Sequence, residues 1–135
     1  MRIAIPTDAP GGLNAQASMH FGHVECFTLI DLDYDELKEN NKRLLKLSES
    51  DFNSVEVVDN PMENHTCFAP VKVLIDNKVN VLLINGIGGR PMMYCLQNGI
   101  KVYNGAMGTV LDVVRDYLAG FLSQTYQGTC SGMHH

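Results

Sequence analysis

Four side chains with metal-ligating chemistry fall in loop-like stretches of this sequence. His20 and His23 flank Phe21-Gly22, and His65 and Cys67 form an H-x-C pair. Neutral imidazole and thiolate suit Fe, Cu or Zn. A lone loop histidine is ordinarily solvated or a cap, so metal chemistry here depends on whether the fold gathers the four. Met19, Met62 and Met107 lie in the same stretches. Their thioethers would favour a soft metal such as Cu(I), although the ordinary use of methionine is to fill apolar gaps. Cys130, His134 and His135 make a C-x3-H-H tail that could add ligands, take up metal adventitiously, or be part of a purification tag.

Two glycine-bearing turns offer a second kind of chemistry. Asn85-Gly86-Ile87-Gly88-Gly89 would present backbone N–H groups just before a helix, an arrangement suited to an anion. A tight strand-to-helix connection requires the same glycines for its geometry. Asn104-Gly105-Ala106-Met107-Gly108-Thr109 repeats the arrangement, with Thr109 as a contact or a helix cap. Neither turn carries the Lys-Ser/Thr of a nucleotide P-loop, and G-x-G-G is not a dinucleotide fingerprint, which argues against ATP and NAD. Catalysis by the chain itself finds little support. It has no G-x-S-x-G elbow, no HExxH pair and no compact carboxylate set, Asp8 and Asp31 being the acids placed near core strands.

Composition narrows the partners. The chain has 135 residues, of which 45% are hydrophobic, enough for one two-sided core. Its net charge is -5, and of its ten Lys and Arg only Lys42, Arg43 and Lys46 form a local group. Nucleic acid and anionic membranes need a concentrated basic surface, so neither is expected as a partner. No apolar run approaches the roughly 20 residues that span a bilayer, and Met1-Arg2 leads directly into a strand-like segment, so a cytoplasmic location is expected. The four cysteines are far apart with no C-x-x-C pair, which argues against a disulfide framework and a self-contained zinc ribbon. Cys26 and Cys95 read as core residues.

These residues need elements to hold them. Residues 2–6 read as a strand running into a long loop over residues 8–22, and long ordered loops tend to be functional. Residues 24–32 are apolar on nearly both faces, as a central strand covered from both sides must be. Residues 55–58 make a third strand, and residues 34–52 a short helix or an extended hairpin. The second half alternates: helix 66–77, strand 79–84, helix 91–98, strand 100–103, helix 109–122. Pro91 suits a first helical position, Gly99 a C-terminal cap, and Thr109 with Asp112 a capping box. Val110, Val113, Val114, Tyr117, Leu118 and Phe121 form one apolar stripe. This order predicts a mixed sheet with strand two antiparallel and helices on both faces. In such a sheet the loops after strands one, three, four and five meet at one edge, bringing His20, His65, Cys67 and both glycine turns together.

In order and spacing, several segments resemble the dinitrogenase iron-molybdenum cofactor biosynthesis family of NifX-like domains. They are Arg2-Ile3-Ala4-Ile5-Pro6-Thr7-Asp8, His20-Phe21-Gly22-His23, Asn60-Pro61 followed by His65, Ile84-Asn85-Gly86-Ile87-Gly88, Gly99-Ile100-Lys101-Val102-Tyr103 and Gly108-Thr109-Val110. The likeness covers residues 1–122, with an insertion over residues 34–52 and a flexible tail over residues 123–135. It implies a ribonuclease H-like three-layer α/β/α fold with a five-stranded mixed sheet. It also implies non-catalytic binding, carrying or assembly of an iron-molybdenum cofactor precursor or another metal-sulfur cluster, exchanged with a cluster donor or acceptor protein; the family also includes molybdenum-copper cluster proteins. By position, the resemblance makes His20 and His65 the cluster contacts and Gly86 to Gly89 the floor; Cys67, His23 and Thr109 join them as candidates on their own chemistry, the Cys67-Phe68-Ala69-Pro70 segment departing from the family pattern. Two other readings stand next to this one: a regulatory or protein-interaction module without metal, and a ribonuclease H-like enzyme, which would need a carboxylate cluster.

Overall fold

A computed structural model describes residues 1–19, 21–39, 44, 46–60 and 68–126. Its six strands are β1 (Arg2–Thr7), β2 (Cys26–Asp31), β3 (Ser54–Asp59), β4 (Val81–Ile84), β5 (Lys101–Asn104) and β6 (Ser123–Thr125). They form one open sheet in the order β3-β2-β1-β4-β5-β6. β2 is antiparallel to both β1 and β3, β4 is parallel to β1 and β5 to β4, and β6 is antiparallel to β5. The central strands are buried on both faces because they are apolar on both. Pro6 sits in a central strand without breaking the sheet, since the pairing with β4 covers Ile3 and Ala4 and stops before it.

Helices α1 (Tyr34–Glu39), α2 (Ala69–Asp76), α3 (Gly89–Gln97) and α4 (Val110–Leu118) cover the two faces. On one, α4, α1 and the side chains of Leu44, Leu47 and Phe52 close over Ile3, Ile5, Ile30 and Leu83. On the other, Val71 and Leu74 of α2 and Met92 and Cys95 of α3 close over Ala4, Phe27, Leu29, Leu82 and Val102. The result is three layers, α/β/α. The segment expected as helix or hairpin thus begins as a short helix, and Leu37, Leu44 and Leu47 extend the first core.

Three expectations are corrected. The sheet has six strands rather than five, because Ser123–Thr125, read as tail, pairs with β5. A three-residue polar edge strand carries no alternation by which sequence could announce it. Second, α4 stops at Leu118, so Phe121 leaves the apolar stripe and is exposed. Gly120, at φ +84°, turns the chain back: its N–H donates to the Tyr117 carbonyl and that of Phe121 to the Asp116 carbonyl, the pairing of a glycine-terminated helix. Third, α3 begins at Gly89, which puts Pro91 at the third helical position. Proline is tolerated there because first-turn N–H groups have no intrahelical partner. Gly99 ends α3 as expected, with its own N–H on the Leu96 carbonyl and that of Ile100 on the Cys95 carbonyl.

Candidate functional site

Strand directions fix where the loops go. β1, β3, β4 and β5 all point the same way, and β2 starts where they end, Cys26 facing Thr7 on one side and Asp59 on the other. The loops after β1, β3, β4 and β5 therefore leave one edge of the sheet. The approach to β2 is pinned there by two buried residues: Phe21, its ring tilted against that of Phe27 at 5.8 Å, and Asn60, whose Nδ2 donates to the Val24 carbonyl at 2.9 Å.

The loop after β1 closes one of the two glycine turns. Gly11 lies against Val57 and Thr28, and the Gly12 N–H donates to Thr28 Oγ1 above a buried Thr7, Cys26 and Thr28 cluster. The loop then runs beside the start of α4. The carbonyls of Ala15 and Leu13 accept the N–H groups of Val110 at 2.9 Å and Leu111 at 3.1 Å. Thr109 Oγ1 accepts from the Asp112 N–H, and the Asp112 carboxylate accepts from the Thr109 N–H, both at 3.2 Å. That is the capping box expected from the spacing. Thr109 thus works as a cap, and this helix start has no N–H left for an anion. Gly108 is a glycine by necessity, with φ +96° and the Asp112 carboxylate 2.9 Å from where a Cβ would stand.

The turn before α3 is built differently. Gly86 has φ +93° and donates its N–H to Asn104 Oδ1 at 2.9 Å, which ties the β4 and β5 turns together. Ile87 is buried in the core. Gly88, the N-cap, has the ordinary extended conformation φ -68°, ψ 160°, and no side chain among the described residues caps the helix. Among the described residues a Cβ on Gly88 would meet only Pro91 at 3.7 Å, and one on Gly89 would meet nothing within 4 Å. Neither backbone conformation nor packing against the described residues requires these two glycines. The N–H groups of Gly88, Gly89 and Arg90 have no protein acceptor among the described residues. No acid occupies the first turn. Arg90, at the second helical position, is exposed and forms no ion pair among the described residues. A cation at a helix N-terminus opposes the macrodipole unless an anion joins it.

The structure unites Gly86, Gly88, Gly89, Thr109 and the loop before α4 at this edge, with His23 exposed on the Phe21–His23 turn beside β2. His20, His65, Cys67, Met62, Cys130, His134 and His135 lie outside the described residues. Among the described residues no three His, Cys, Asp or Glu stand close enough to hold a metal. Met19 and Met107 are 62% and 67% exposed and so do not fill gaps. Cys26 and Cys95 are core residues, and burial pushes the Cys95 thiol up to about 12. Asn104 and Arg90 were not singled out from the sequence. A strand-end Asn and a helix-start Arg carry no spacing signal; the one available sign for Arg90 is its misfit with the dipole.

Fold and edge together define an open-sheet α/β protein whose carboxyl-end loops frame a helix start with no acceptor for its first N–H groups among the described residues. The family described as dinitrogenase iron-molybdenum cofactor matches residues 1–120, and the chain belongs to it. MJ0580, an uncharacterized protein of Methanocaldococcus jannaschii, is 28% identical over 127 residues, covering 92% of this chain and 91% of its own. TM1290 of Thermotoga, solved by NMR as a candidate NifB protein of the DUF35 family, is 26% identical with a TM-score of 0.69, covering 97% of this chain and 98% of its own. The apo form of the orange protein from Desulfovibrio gigas shares the fold at TM-score 0.73 and 22% identity, covering 96% of each chain. Membership ties this chain to iron-molybdenum cofactor biosynthesis and to a cluster-related, accessory role. No helix among the described residues is long and apolar enough to cross a membrane.

Proposed function

We propose that the chain binds a metal-sulfur cluster of iron-molybdenum type, or its precursor, as cargo at the carboxyl-end edge, and carries it without altering it. The observation that supports this most directly is the bare start of α3. Sulfide-bridged clusters and molybdate-derived precursors are anions, and Gly88, Gly89 and Arg90 offer N–H groups and a guanidinium that no side chain of the described residues pairs with or covers. In this reading the amides and Arg90 hold the negative outer atoms of the cargo. His20, His65 and Cys67 supply soft ligands, with His23 at the rim and Cys130, His134 and His135 as further donors from the tail. A donor or acceptor protein would exchange the cargo. Thr109 is left to its capping role. The strand order, with β2 antiparallel, is the frame we assign to the ribonuclease H-like class.

The test is reconstitution without oxygen, using iron, sulfide and molybdate. Visible charge-transfer absorption with bound metal in proportion to protein is expected, and His20→Ala and His65→Ala should each reduce it. Colourless, metal-free protein after such treatment overturns the reading.

A further inference from the structure

We infer that the outer face of α3 is a docking surface for a different, acidic protein, which meets the chain transiently beside the cargo edge. The inference rests on the carrier reading only for the purpose of the encounter; the surface itself is read from the helix. One side of α3 buries Met92 and Cys95. The other presents Arg90, Met93, Leu96 and Gln97 at helical spacing, all exposed. Met93 is 50% and Leu96 37% exposed, and the next apolar side chain round the helix, Tyr94, carries Phe68 edge-on at 5.2 Å, itself 39% exposed. Single exposed apolar residues need no explanation, but several together on one face mark a contact surface.

Charge selects the occupant. The chain has 15 acidic against 10 basic residues, yet α3 contains no Asp or Glu, and Arg90 stands at the N-terminal end of its exposed arc without an ion pair among the described residues. The complementary surface is apolar with acidic residues around it. A second copy of this chain is a poor match. A two-fold contact sets like on like, so Arg90 would face another acid-free helix. The apolar area on offer, on the order of a few hundred Å², is also well short of the roughly 800 Å² per partner of a stable interface. A brief heterologous encounter fits that size. Because Arg90 belongs both to this face and to the bare turn, a protein docked here stands next to the carried anion.

A photo-reactive benzophenone side chain in place of Met93, and a control in place of Glu56 on β3, would be expressed in the cell of origin. One acidic protein should cross-link at position 93 and not at 56. That protein is then purified and its affinity measured by calorimetry against the unloaded chain. Met93→Asp should weaken binding at least tenfold and Met93→Lys markedly less, while both variants melt and load cluster as the unaltered chain does. An adduct with a second copy, no adduct, equal loss with Asp and Lys, or an affinity indifferent to Met93→Asp overturns the inference. If the unaltered chain takes up no cluster but the Met93 effects persist, the carrier reading falls and the docking surface stands.

Discussion

The turns before α3 and α4 leave neighbouring parallel strands, carry glycines at similar spacing and are joined by Asn104, yet they end in opposite states. At α4 every N–H of residues 109–112 is taken, two by carbonyls of the loop after β1 and two by the reciprocal pair of Thr109 and Asp112. At α3 the N–H groups of residues 88–90 have no acceptor among the described residues, and Pro91 has none to give. The carboxylate of Asp112 complements the dipole of α4, whereas Arg90 opposes that of α3. Glycine in a turn is therefore a poor guide to anion binding by itself. Gly108 answers to conformation and to the neighbouring carboxylate; Gly88 and Gly89 answer to nothing among the described residues.

The largest effect should come from making the bare turn resemble the closed one. Gly89→Asp places a carboxylate at the first position of α3, where it suits the helix dipole and repels an anionic cargo. Cluster loading should fall at least thirtyfold, roughly 2 kcal/mol of binding, while the melting temperature stays level or rises. Loss of stability together with loss of loading would mean that the glycine is structural after all, and the contrast between the turns would fail.

Sequence made part of this legible. An antiparallel second strand followed by strand-helix alternation was enough to send four loops to one edge, and Thr109 with Asp112 announced a cap through local spacing. What stayed hidden is non-local. The carbonyls of Leu13 and Ala15 reach α4 from nearly a hundred residues away, and nothing in their identity marks them as acceptors, so the two turns looked alike. Likewise β6 exists because β5 has a free edge, and Phe121 leaves the core because Gly120 takes a left-handed conformation. Residue type alone makes Met19 and Met107 fillers of apolar gaps, and their exposure reverses that reading.

A smaller effect is expected at the closed turn. Thr109→Ala removes the hydroxyl that accepts the Asp112 N–H, at a cost of about 1 kcal/mol for a lost N-cap, or roughly 4 °C in melting temperature for a domain of this size. Cluster loading should be unchanged. A loss of loading at constant stability would make Thr109 a ligand contact and remove the functional difference between the two turns.

The smallest effect separates the turns by pH. The Thr109 backbone N–H and hydroxyl, with a further contribution from Arg115, hold the Asp112 carboxyl below its ordinary value. A carboxyl whose folded value is depressed contributes stability that is fully present above its unfolded value, about 3.9, and is lost as pH falls through the folded one. Half exposure of the Asp112 side chain limits that contribution to the range of a first-turn acid, about 0.3–1 kcal/mol. The melting difference between the unaltered chain and Asp112→Asn should therefore hold from pH 7 to pH 5 and shrink toward pH 3. Gly89→Asp creates the same kind of acid at α3, so any stabilisation it brings should fade over the same interval. A difference for Asp112→Asn that is independent of pH would show that hydrogen-bond geometry rather than charge closes α4, and the electrostatic half of the contrast would have to be given up.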